Sequence, residues 1–142
     1  MTFIKAPLAD GGEEVLPPES MYDLRIASKK VGRNKADTRD QIHLYIVIEG
    51  HEEEDYMGIN HWLPFPNEED MQDTNRKKMM LRSINRFLTV FNVNYGADGF
   101  DEEDLEGAQG NCMVYLEKRT DADGNEMDEE QPRLRLPRMA TS

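Results

Sequence analysis

Histidines, a cysteine and carboxylates are the groups through which this chain of 142 residues would catalyse a reaction or hold a metal. Their spacing argues against both. His43, His51 and His61 have no cysteine partner near them and no second histidine at helical spacing, so no zinc site is expected. Asp121-Ala122-Asp123-Gly124-Asn125 resembles the start of a calcium loop. Its glycine is misplaced, however, and no glutamate closes the loop at the required distance, so an ordinary hairpin turn is the expectation. The single Cys112 lies in an apolar run and reads as a small buried hydrophobe, not a nucleophile. No phosphate-loop, dinucleotide, zinc-protease, paired-cysteine or nucleophile-elbow motif occurs. No carboxylate sits in an apolar stretch that would raise its pKa for acid catalysis. We therefore expect no catalytic residue, no metal, no cofactor and no enzyme.

The other chemistry in the chain is stacking and charge. From Gln41 to Glu49 apolar and other residues alternate: Ile42, Leu44, Ile46 and Ile48 share one face, while Gln41, His43, Tyr45 and Val47 share the other. That period of two marks a strand with one buried face. Gly50 to Asp55 is an acidic turn, and Tyr56 to Leu63 alternates again. With Met57, Ile59 and Leu63 inward, Tyr56, Asn60 and Trp62 share the outer face with His43 and Tyr45. An outer face holding a histidine, two tyrosines and the only tryptophan is unusual, because aromatic rings normally bury. Two readings of Trp62 stand: an aromatic platform for stacking bases, built from His43, Tyr45, Tyr56 and Trp62, or a ring packed under a loop or helix. The basic residues nearby in sequence, Lys29, Lys30, Arg33, Lys35 and Arg39, with Arg133 and Arg135 of the last strand, are the candidates for holding phosphates.

These residues need elements to position them. Ser20 to Lys30 is a first strand with Tyr22, Leu24 and Ile26 on one face; Val31 to Arg39 then reads as a long, flexible basic loop containing Gly32 and Asn34. Pro64-Phe65-Pro66 breaks the chain after the third strand, and Asn67 followed by three acids caps a first helical turn. A main helix from Thr74 to Val93 follows, with Met80, Ile84, Phe87, Leu88 and Phe91 at helical spacing as its core stripe. Asp101 to Leu105 is a short acidic turn ended by Gly107. Asn111 to Arg119 is a fourth strand, with Cys112, Val114 and Leu116 alternating against Met113, Tyr115 and Glu117. Arg133 to Leu136 is a fifth, with leucines inside and arginines outside. The predicted fold is mainly β: a five-stranded oligonucleotide-binding (OB-fold) barrel with a helix between strands three and four. It occupies residues 18–139, preceded by an extended arm over 1–17 and followed by a short end at 140–142.

Composition bounds the function. The chain suffices for one core, has no eighteen-residue apolar run, and shows no signal-peptide pattern at its start; a cytoplasmic protein without a membrane partner is expected. One cysteine excludes an internal disulfide. The net charge of −12 argues at first against a nucleic-acid partner, but it is distributed in blocks. Segment charges run −3 (1–19), +3 (20–48), −9 (49–73), +5 (74–95), −11 (96–130) and +3 (131–142). Positive and negative surfaces therefore coexist on one small body.

Leu16-Pro17 before the first strand, Trp62-Leu63-Pro64 closing the third, and the helical Arg86-Phe87-Leu88-Thr89-Val90-Phe91 form a loose pattern. Gly99-Phe100-Asp101, Asp104-Leu105-Glu106-Gly107 and the final Arg133-Leu134-Arg135-Leu136-Pro137 complete it. Over Leu16–Pro137 the chain resembles the single-stranded-DNA-binding proteins of tailed bacteriophages. The resemblance implies an OB fold that coats exposed single strands in phage DNA replication or recombination. It also implies a place in the host cytoplasm, with phage or host replication and recombination proteins as partners, and it leaves homo-oligomerisation open. Many single-strand binders end in an acidic tail, whereas this chain ends Arg138-Met139-Ala140-Thr141-Ser142, so the acidic loops at 101–106 and 121–130 would have to recruit partners. The rival reading is an acidic protein–protein adaptor or DNA-mimic inhibitor, motivated by the net charge. A phage structural role has no specific residue in its favour.

Overall fold

The computed structural model describes residues 2–8 and 14–137; Gly11-Gly12 of the arm and the Arg138–Ser142 end lie outside the described residues. Its frame is a five-stranded antiparallel sheet ordered β3-β2-β1-β6-β7, built from β1 (Ser20–Arg33), β2 (Asp40–Ile48), β3 (Ile59–Pro64), β6 (Gln109–Thr120) and β7 (Glu126–Arg135). Between β3 and β6 come α1 (Glu68–Gln72), α2 (Thr74–Val90) and a small two-stranded pair, β4 (Tyr95–Gly96) and β5 (Gly99–Phe100). The protein is mainly β with one main helix, as its periodicities predict. The ladder is not closed into a barrel: β3 and β7 are its two edges, and they come side by side without pairing.

The core lies between the sheet and α2. Tyr22, Leu24 and Ile26 of β1, Ile42, Leu44 and Ile46 of β2, Ile59 and Leu63 of β3, and Cys112 and Val114 of β6 meet Ile84, Phe87, Leu88 and Phe91. Each large apolar side chain in this cluster contributes about 1.5–3 kcal/mol by leaving water. Burial raises the Cys112 thiol above its ordinary pKa and leaves it inert.

Three departures from the sequence-level expectation matter for function. First, β1 does not end at Lys30. A bulge at Ala27 shifts the register between Ile26 and Ser28, after which the ladder with β2 continues to Arg33 opposite Asp40. The expected flexible basic loop is therefore a long hairpin with a turn of six residues. Asn34 holds that turn: its Oδ1 accepts from the backbone N–H groups of Thr38 (2.7 Å) and Arg39 (3.0 Å), while Asp37 takes a left-handed φ of 56°. Second, α2 ends at Val90, not Val93. Asn92 turns left-handed (φ 57°), its side chain donates to the Gln109 carbonyl (2.9 Å), and Val93 folds back into the core. Gly110 lets β6 pass under this helix end, since a Cβ there would collide with the Val90 carbonyl oxygen. Third, the third strand begins at Ile59. Ahead of it Val15 forms an isolated parallel bridge to Tyr56, its N–H donating to Asp55 and its carbonyl accepting from Met57.

The acids after Asn67 form a capping box on α1. Asp70 also holds an ion-pair network: Arg39 donates to it through both Nε and Nη2 (2.8 Å for the latter), and Arg76 lies at 3.4 Å. The carboxylate is sealed from solvent by these two arginines at the surface of the fold, and the hydrogen bonds from Arg39 hold its pKa well below the usual carboxylate range. Among the described residues no helix is long and apolar enough to cross a membrane.

Candidate nucleic-acid interface

The side of the sheet turned away from α2 is set by register. His43 on β2 stands opposite Lys30 on β1 and opposite Trp62 on β3. Residues directly opposite in a ladder point to the same face, so the three form one row. The imidazole of His43 stacks on the indole of Trp62, with ring centroids 4.8 Å apart and planes 20° from parallel, and its Nε2 meets Asn60 Oδ1 at 2.9 Å. Across the gap between the two edges, Arg133 of β7 continues the row. Its guanidinium lies 5.4 Å from the Trp62 ring centroid, and its Nη1 donates to the Asn60 carbonyl (2.9 Å). Arg133 stands opposite Tyr115 on β6, and Arg135 lies over the Tyr115 ring at 5.1 Å. The result is a band, Lys30–His43–Trp62–Arg133–Tyr115–Arg135, running across every long strand.

Trp62 is 42% exposed. Its ring is neither in the core nor bare, because His43 and Arg133 both lie against it. Tyr45, one step along β2 on the same face, is half-buried over Gly58, where any side chain would collide with its ring. Planar cationic and aromatic groups alternate along this face. Such an arrangement accepts flat aromatic rings by stacking and anions by charge.

Other candidates fall elsewhere. Tyr56 is not on the platform: it packs against Tyr22 (6.0 Å) and His51 (5.4 Å) at the margin of the core. The alternation from Trp62 back to Tyr56 fails because Met57 bonds to Val15 and the ladder starts only at Ile59. Lys29 is turned by the bulge to the inner side, opposite Leu44, with 14% of its side chain exposed and its Nζ 3.9 Å from Glu102. Arg33 pairs with Asp37 (3.0 Å) and Asp40 (3.1 Å), and Arg39 is committed to Asp70. Arg133 also reaches Glu117 (3.3 Å). Among the described residues, Lys30, Lys35 and Arg135 are the phosphate candidates without an ion pair, and Lys35 is exposed at the hairpin turn.

Compared with known proteins, the chain matches no family model and no curated sequence.

The sequence places Asn60 on the outer face and Tyr115 on the outward side of the fourth strand, but marks neither as a site residue. Tyr115 alternates outward from Val114, a visible signal, but only the pairing with β7 puts it beside Arg133. A concavity of about 830 Å³ opens on the opposite side of the sheet, lined by Val31, Ile42, Phe65, Leu88, Tyr95 and Phe100 among others, and shares no residue with the band. Among the described residues no group of three or more His, Cys, Asp or Glu side chains is placed to hold a metal.

Proposed function

We propose that this chain binds single-stranded DNA, without base sequence preference, along the band on the outer face of its sheet. Several features support the reading. The face is open and elongated, which suits a strand, whereas a small ligand would be enclosed. Rings and cations are interleaved, the combination that holds bases by their π-faces and the backbone by its charge. The single observation that carries the proposal is the Lys30–His43–Trp62–Arg133 row, in which four residues from four strands bring stacking and cationic groups onto one line. The strand order, with β7 returning beside β3 and a helix between the third and fourth long strands, supports an OB-type architecture whose second and third strands form the ligand face. In that reading the protein coats single strands in the host cytoplasm during phage DNA replication or recombination, and its chemistry is binding alone.

Titration of the protein with oligo-dT, followed by tryptophan emission, tests this. A base stacking against the indole extends or replaces the His43–Trp62–Arg133 stack and quenches its emission strongly. An unchanged emission, together with no gel shift at low salt, would refute the reading. It would favour the acidic adaptor instead, for which the exposed β6–β7 hairpin (Glu117, Asp121, Asp123, Glu126, Asp128, Glu129 and Glu130) is the supporting feature.

A further inference from the structure

The chain carries 29 acids in 142 residues, yet α2 (Thr74–Val90) contains none and holds five cations: Arg76, Lys77, Lys78, Arg82 and Arg86. Lys78, Arg82 and Arg86 recur every four residues, so they form a stripe with steps of about 6 Å along the helix axis. Ile84, Phe87 and Leu88 bury the opposite side of α2, which leaves Lys78 and Arg82 exposed and Arg86 half-buried at the end of the stripe. Among the described residues none of Lys77, Lys78, Arg82 and Arg86 forms an ion pair. A helix so free of acids on so acidic a protein is a concentrated positive field, and no acid among the described residues pairs with these four cations.

We infer that α2 is a second track for the phosphate backbone of the same single strand, separate from the aromatic face. The inference rests on the function proposed above and extends the bound length. The regular cation spacing suits a flexible polyanion. The stripe has no aromatic side chain, and the exposed apolar residues of α2, Met79 (70%) and Leu81 (37%), flank it on opposite sides of the helix, so it lacks the continuous apolar centre of a protein interface. The β1–β2 turn joins the two regions. Asn67 donates to the Thr38 carbonyl (3.1 Å), and Arg39, Asp70 and Arg76 lock the turn to the start of α2. A strand leaving the face at Lys30 passes over Lys35 and reaches the head of this helix.

The test compares wild type with Lys78→Gln/Arg82→Gln/Arg86→Gln, whose glutamines keep helix propensity near that of the residues replaced. Two probes are used, oligo-dT of about 6 nucleotides, near the lower end of the roughly 4–16 that one OB-type domain covers, and of about 30, well beyond it. With the long probe, the slope of log affinity against log salt should weaken by about 2, at roughly 0.7 per lost phosphate contact, and the occluded length should shrink. With the short probe, affinity and Trp62 quenching should stay unchanged. Equal slopes and occluded lengths with the long probe overturn the inference while leaving the aromatic face intact. Long-probe binding that depends on the three cations without any Trp62 quenching supports the helix track and refutes the face. Binding of neither probe by wild type refutes both. Salt-sensitive self-association in the absence of DNA that the triple variant abolishes, with unchanged long-probe binding, overturns the track in favour of the acidic surface of a second copy.

Discussion

Trp62 and His61 are neighbours on β3 with opposite fates, and each supplies a measurable consequence. Trp62 faces outward and remains 42% exposed. Trp62→Ala should lower oligo-dT affinity by about 1–3 kcal/mol, the range for one base–aromatic stack. Its cost in stability should stay below the roughly 3–5 kcal/mol of a buried aromatic deletion. One titration and one melt measure both, and a larger loss of stability than of affinity would return Trp62 to a structural role. His61 faces inward and stacks on Phe87, with centroids 4.9 Å apart and planes 7° from parallel. Burial, with Arg133 nearby, lowers its pKa from 6.5 to about 4. The unfolded chain therefore takes up a proton at His61 between about pH 6.5 and 4 that the folded protein refuses. The His61 contribution should lower stability as pH drops through that window, by about 3 kcal/mol in total, and add no further loss below it. Urea melts at pH 7 and 4.5 should show the fall in wild type and a much smaller one in His61→Phe.

At the level of elements, the device that positions the site is the junction between the β1–β2 hairpin and α1–α2. Asp70 accepts from Arg39 of the hairpin, from the Asn67 backbone and from Arg76 of α2. Removing that carboxylate leaves two arginines facing each other without a counter-charge, which is more costly than never having had the pair. Asp70→Asn should lower the melting temperature clearly. Arg39→Ala should do likewise, while changing the salt dependence of DNA binding little. Because the folded pKa of Asp70 is depressed, its contribution is fully present above its unfolded value near 3.8 and is lost as pH falls below it. Thermal melts between pH 5 and 2.5 check the window: the wild-type loss there should be smaller in Asp70→Asn, which keeps the His61 contribution above about pH 4.

On the scale of the whole molecule, blocks of charge replace a uniform sign. A net charge of −12 repels a polyanion at long range, and the local cations must overcome that. Binding should therefore weaken steeply with salt, at roughly 0.7 in log–log slope per phosphate held. The contribution is unevenly placed. Lys30→Ala with Lys35→Ala should reduce the slope, because neither has an ion pair among the described residues. Lys29→Ala with Arg33→Ala should reduce it less, because each already faces acids of the protein. Fluorescence titrations at several salt concentrations separate the two pairs. Equal effects would mean that strand binding opens the Lys29 and Arg33 pairs.

Periodicity alone located the five long strands, the main helix and most of the side chains they bury, although β7 already begins at Glu126, inside what reads as an acidic loop. Ile42, Leu44, Ile46, Ile84, Phe87 and Leu88 are core by the same alternation and stripe visible in the sequence, because burial of apolar area is a local pattern imposed by strand and helix geometry. The outward set of His43, Tyr45 and Trp62 was legible for the same reason. What tertiary structure decided was pairing and parity. One bulge at Ala27 exchanged the faces of Lys29 and Lys30, and Val15 took Met57 out of the expected strand and Tyr56 with it. Asp70, distant in sequence, claimed Arg39. Tyr115 joined the site only through its register with Arg133. A bulge, a bridge, an ion pair and a register are contacts between residues far apart in the chain, and no local period encodes them.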